Sequence, residues 1–327
     1  MLLLNNSTEL YLHVKTDPIS VGLNIASICT SILALLGNGI LYYFLSRLSA
    51  KKLDAEGRWL MVIPTFGDCV SNIGILSLSL ARLLVFINKK FGRMMVWQCI
   101  TVSVLAPTGM WYTNWAMVHI AVDRVFAITA PIAYQNSNRS LALRAFVTLN
   151  CFCSLAQGLS FYYGIPLMDK INVCSLGAVS YSSVMEFYTG MTAFVGVTII
   201  LLYLEIIIVN CIRSLKADLA LSQTDQFQKR QKSVQKIASG ILLGVIIFTI
   251  LPNLVLFLAV MLGVDDAVKS KSAQLVALCH AFGSIVYTLT LSFRDNELRT
   301  EGKKMLRLAR VSQVSPLQGS NFHSVHG

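Results

Sequence analysis

The sequence predicts an all-α protein: a seven-transmembrane helix bundle with a short amphipathic eighth helix on the inner leaflet. Three observations carry this. The chain of 327 residues is 55% hydrophobic and only 13% charged, with a mean hydropathy of +0.63, whereas a soluble domain carries about a quarter charged residues. The apolar residues fall in blocks long enough to cross a ~30 Å hydrocarbon layer at ~1.5 Å per residue. The lysines and arginines between the blocks are divided unevenly between two sides.

Residues 1–19 are polar and form the N-terminal segment, in which Asn5 and Asn6 each head an N-x-S/T sequon. Met1–Leu4 is too short for a secretory signal, so the first span is expected to serve as the insertion signal. The membrane domain, 20–292, holds spans at roughly 21–46, 58–86, 97–129, 142–166, 182–212, 234–262 and 272–291. The third and fifth are overlong and should tilt or project into water. The fourth is the most polar, with Asn150, Ser154 and Gln157 inside it. The connection 214–233 is rich in Gln and charge. Phe293-Arg294-Asp295-Asn296-Glu297-Leu298-Arg299, with Met305, Leu306 and Leu308 among basic residues, suits an amphipathic helix at 293–308. Residues 309–327 read as a disordered cytoplasmic tail.

An odd number of spans puts the termini on opposite sides. With the N-terminus outside, 18 Lys and Arg fall on the inner side and 7 on the outer. The positive-inside rule therefore predicts an extracellular N-terminus and a cytoplasmic C-terminus, with the chain multi-pass in the plasma membrane. Asn5 and Asn6 become available for glycosylation. The net charge of +11 follows from this sidedness and implies no nucleic-acid partner.

Of the eight cysteines, Cys99 and Cys174 land on the oxidising outer side, where they form either a disulfide or two free thiols; the location favours the bridge. None of the cysteines forms a close metal-ligand set with histidines, and no metal or cofactor is expected. Asn38, Asp68, Thr113 and Asn114 lie within spans. A mid-span Asp should face the interior and find a polar partner, water or a cation, or stay neutral and hydrogen-bonded. Arg82 and Glu205 lie near span ends and are expected to snorkel. Pro64, Pro107, Pro166 and Pro252 interrupt or end spans, Pro252 in the middle of the sixth. An intramembrane enzyme would need a nucleophile–base pair at depth. His280 with Ser284 is the nearest approach to one, but a structural histidine is the expected role, and no enzyme is predicted. A small transporter or channel is the alternative; it would show ionisable groups at mid-depth in several helices, or related halves.

Asp123-Arg124-Val125-Phe126-Ala127-Ile128-Thr129-Ala130-Pro131-Ile132-Ala133-Tyr134, at the end of the third span, is similar to the D-R-Y-x-A-I-x-x-P-L-x-Y of rhodopsin-like (class A) G-protein-coupled receptors. Gly37-Asn38, Asp68, Cys99 placed 25 residues before Arg124, Cys174, Pro252, Tyr287 and Phe293-Arg294 follow in that family's order. The resemblance covers roughly residues 20–308. The tail and the altered switches also resemble divergent chemoreceptor-like or neuropeptide-receptor-like members from invertebrates. Departures are specific. Val125 replaces Tyr, and N-P-x-x-Y reads Gly283-Ser284-Ile285-Val286-Tyr287. Ile250 stands where Trp is usual, and Lys229-Arg230-Gln231-Lys232 lacks the acidic partner for the helix-three Arg.

The resemblance implies a receptor that binds an extracellular small molecule or short peptide and activates a heterotrimeric G protein. Asp123, Arg124, Pro131 and Tyr287 would form the coupling switch, with Asp123 left as the partner of Arg124. Asn38, Asp68 and Thr113 would form the intramembrane polar core. Pro252, Gly283 and Ser284 would be the hinge. The ligand pocket would be lined by Ala106, Met110, Glu186, Asn253, Phe257 and Gln274, with Val102 nearby. Ala106 stands where amine receptors carry Asp, and Ala277 where retinal needs Lys, so neither ligand is expected. Cys279 and Gly283 are poor oxygen donors, so the family's sodium site should bind weakly or not at all.

Overall fold

The computed structural model describes residues 18–49, 55–87, 94–171, 174, 176, 182–219, 240 and 243–294. Asn5, Asn6, the connection 220–239, most of the expected amphipathic helix and the tail 309–327 lie outside the described residues. The helices are α1 (Pro18–Ser49), α2 (Ala55–Ile87), α3 (Val96–Ser103), α4 (Leu105–Thr129), α5 (Pro131–Asn136), α6 (Arg139–Ser160), α7 (Ser182–Leu219), α8 (Leu251–Met261) and α9 (Asp266–Arg294). A π-helical turn, Ile246–Ile250, leads into α8. Two short strands, β1 (Met94–Met95) and β2 (Lys170–Ile171), pair antiparallel.

Burial runs inside out relative to a soluble protein. Ser31, Asn38, Thr65, Ser71, Asn72 and Ser103 have no exposed surface, while Phe152 is 71% and Leu159 69% exposed. Such a distribution fits a hydrocarbon surround, which cannot satisfy polar groups and does not penalise apolar ones. Among the described residues, six helices are long and apolar enough to cross a membrane. The third span, α3–α4, is not among these six. It packs against α2, α6 and α7, and its Trp111, Tyr112, Thr113 and Asn114 are all buried. A helix surrounded by protein need not be apolar all round.

Several boundaries differ from the sequence expectation. The first helix begins at Pro18, inside the segment assigned to the N-terminus, and the seventh span begins at Asp266 rather than 272. The fourth span ends at Ser160, not 166. A turn over residues 161–164 closes it, with Gly164 at φ 73° and Pro166 just beyond. The third span is interrupted at Val104. Pro107 has no N–H to return to the Ser103 carbonyl four residues back, so the ladder breaks there. Pro252 acts likewise on the sixth span. It cannot donate to the Phe248 carbonyl, and the preceding turn widens to π geometry, with Leu251 N–H bonding Ile246 O.

Close packing of α2 on α4 depends on glycine. A Cβ on Gly109 would run into the backbone of Ser71 and sit 2.7 Å from Gly67 O; one on Gly74 would meet the backbone of Leu105 and Ala106. Small residues let membrane helices approach to backbone contact. The polar residues of α6 also face this seam: Asn150 Nδ2 donates to Tyr112 O at 3.0 Å.

Candidate functional site

Three groups of residues lie in sequence along the bundle, and α3–α4 contributes to each. At one end Cys99 and Cys174 form a disulfide, their Cα atoms 5.4 Å apart, joining the start of the third span to the loop that carries β2. The bridge packs in a cluster with Val96, Ile100, Trp111, Phe161, Met185 and Tyr188. Tyr188 stacks on Trp111 and meets Phe161 edge to face. Arg82 does not snorkel as expected: its Nε–H donates to the Cys174 carbonyl at 2.8 Å. Below the disulfide lies a cavity of about 90 Å³, walled by Arg82, Ala106, Met110, Tyr188, Leu256 and Gln274, among others.

Of the six pocket candidates, Ala106, Met110 and Gln274 line this cavity, while Glu186, Asn253 and Phe257 are not in its wall. Asn253 is buried and turned along its own helix, its Nδ2 donating at 2.7 Å to Thr249 O, a carbonyl in the π-turn. Phe257 reaches across towards Gly190 on α7. Glu186 is exposed.

The second group is the polar core. Asp68 is 2% exposed; Thr113 Oγ1 donates to its Oδ1 at 3.0 Å. His280 Nε2 lies 3.5 Å from the same oxygen, an ion-pair distance when the imidazole is protonated. Asn38 Nδ2 donates to Ser284 Oγ at 2.7 Å, and Thr288 Oγ1 donates to Asn38 Oδ1 at 2.6 Å, tying α1 to α9. Asn72 Nδ2 donates to Asp68 O at 2.7 Å and reaches Ser284 Oγ at 3.5 Å. Asp68, Thr113, His280, Ser284 and Tyr287 border a cavity of about 50 Å³, large enough for ordered water. Helix α9 runs unbroken through Gly283 and Ser284. Gly283 is a packing glycine here, since a Cβ on it would sit 2.9 Å from Phe248 Cβ in the π-turn.

The third group is at the far end. Both Asp123 carboxylate oxygens accept from the Tyr134 hydroxyl, at 3.1 and 3.2 Å. Pro131 opens α5 at a position where its missing N–H costs nothing. Tyr203 on α7 is 3% exposed, clusters with Tyr287, Met117 and Ala121, and lies within electrostatic reach of the Arg124 guanidinium.

Sequence reasoning missed Arg82, His280, Tyr134 and Tyr203 as parts of these groups. Spacing could have found two of them. His280, Ser284 and Tyr287 recur at i, i+4 and i+7, and Val195, Ile199, Tyr203 and Ile206 form a similar stripe.

The fold and these groups define a multi-pass membrane receptor: a helix bundle closed at one end by a disulfide, with a buried polar core and an Asp-Arg pair at the other. The chain matches the family of 7 transmembrane receptors (rhodopsin family) over residues 37–290 and belongs to it. Members of that family are receptors rather than enzymes, with a G protein and an extracellular ligand as their general partners. No curated protein matches the sequence.

Proposed function

We propose that this receptor binds an extracellular small molecule or short peptide beneath the Cys99–Cys174 disulfide, and that binding opens the Asp123–Arg124 end to a heterotrimeric G protein. The N-terminus is extracellular and the C-terminus cytoplasmic, in the plasma membrane, as the 18-to-7 division of basic residues supports. Asn5 and Asn6 carry glycans. The ligand is neither a monoamine nor retinal, for want of an Asp at Ala106 and a Lys at Ala277.

One observation carries the reading: a single helix, α4, touches all three groups. Ala106 and Met110 wall the cavity, Thr113 holds Asp68, and Asp123 and Arg124 end the helix. A ligand shifts an equilibrium only by binding its two states unequally. Contacts with one face of α4 can do this if α4 packs differently in the two states, and the same movement would free Arg124. Tyr203 and Tyr287 would then hold the open form, with Pro252, Gly283 and Ser284 accommodating the change in the sixth and seventh spans.

A second-messenger screen in cells tests this when repeated in cells lacking heterotrimeric G proteins. A ligand response present in the first and absent in the second supports the receptor reading. A response that persists without G protein would favour the channel alternative.

A further inference from the structure

The geometry points to a small organic anion, a carboxylate on a short apolar chain, as the ligand class of the cavity beneath the disulfide, with Arg82 as the group that selects its charge. This inference rests on the reading of that cavity as the ligand site.

Arg82 brings a guanidinium to the cavity wall near the disulfide. Its Nε–H is used on Cys174 O. Among the described residues, no hydrogen bond or ion pair engages its terminal NH₂ groups, and no Asp or Glu lines the cavity. A cation in a low-dielectric wall without a counter-charge is costly, and a guanidinium presents a fork that matches carboxylate geometry.

A second group lacks a partner independently. Gln274, 6% exposed, lines the same cavity, and its Oε1 has no hydrogen-bond partner. The two ends of an amide differ only in which atom is assigned as nitrogen, so Gln274 can present NH₂ to an anion. The Tyr188 hydroxyl, also in the wall, reaches the Met110 sulfur at 3.9 Å, a weak acceptor, and has Thr192 as a further side-chain partner. Arg82 and Gln274 thus bring to one cavity a guanidinium edge and an amide that can turn its NH₂ inward.

The remaining wall is mostly apolar, with Asn24, Ser27, Ser79 and Ser103 as its other polar residues. Ile75 lies seven residues deeper along α2 than Arg82, about 10 Å along the axis, and Ala106, Met110 and Leu256 cluster with it. A dry cavity of ~150 Å³ takes benzene. One of about 90 Å³ therefore suits a chain of a few carbons with its carboxylate at Arg82.

The test uses the purified full-length receptor in detergent, with thermal unfolding titrated by the potassium salts of butanoate and hexanoate and by the matching neutral amides. The acids should raise the melting temperature saturably, and the amides should bind about ten- to a hundredfold more weakly, the range for losing a charged hydrogen bond. Arg82→Gln keeps a donor for Cys174 O but removes the charge. It should bring acid and amide to equal, weak binding while leaving the unliganded melting temperature near that of the wild type. If Arg82→Gln does not fold, Gln274→Leu should still reduce the preference for acid over amide. Failure of every acid to bind, equal binding of acid and amide to the wild type, or undiminished discrimination in the variant would each overturn the inference. The coupling role is judged separately on Arg124, so acid binding without G-protein activation would count against the receptor reading and leave this inference standing.

Discussion

His280 Nε2 on α9 stands 3.5 Å from Asp68 Oδ1 on α2, in the centre of the bundle. Thr113 donates to that same oxygen from α4. A hard cation seeks several oxygen ligands; α9 offers here the His280 imidazole, no side chain at Gly283, and the Ser284 hydroxyl, which already accepts from Asn38. The core is thus built around an internal partner for Asp68. The melting temperature of the purified receptor should be the same in sodium and choline chloride at matched ionic strength. A sodium-specific rise of several degrees would refute this.

The Asn38–Ser284–Thr288 set ties the first span to the seventh, where the family motif carries proline in place of Ser284. Asn38→Ala should cost about 1–2 kcal/mol, the upper range for a hydrogen bond between membrane helices. Ser284→Ala should add little on top of Asn38→Ala, because both remove the same bond. Thermal unfolding of the two single variants and the double reads this directly. Fully additive losses would show that the bond contributes nothing specific.

Backbone contact between α2 and α4 makes Gly109 intolerant of a side chain. The atoms in the way belong to the backbone of Ser71 and Gly67, which cannot rotate aside. Gly109→Ala should destabilise by about 1–3 kcal/mol, the usual cost of overpacking, and lower surface expression. Gly39→Ala meets nothing within 4 Å and should match the wild type. Equal expression and stability of the two variants would contradict this packing.

Much of this molecule was legible in the sequence. Block lengths and basic residues yielded the spans, and the outer location of Cys99 and Cys174 pointed to their bridge. The mid-span positions of Asn38, Asp68 and Thr113 marked a polar core that the structure brings together. Rotational facing was harder to read. A membrane helix is apolar towards lipid and often towards protein, so periodicity does not say which neighbour a polar side chain meets. His280 therefore read as a structural histidine one turn from Ser284, though it faces Asp68 from another helix. Arg82 read as snorkelling because nearness to a span end does not reveal a turn towards the disulfide loop. The partner of Asp123 across the chain turn was also out of reach of spacing alone. Tyr134, which donates to Asp123, is brought there by the new helix that Pro131 starts.

The role of Arg124 is the central claim, and a second-messenger assay comparing wild-type receptor with Arg124→Ala tests it most directly. Both forms would be expressed at equal surface density and exposed to the same ligand screen. A ligand that evokes a response through the wild type should lose it in Arg124→Ala, by at least an order of magnitude, while still binding the variant. A response of undiminished size in Arg124→Ala would contradict the account.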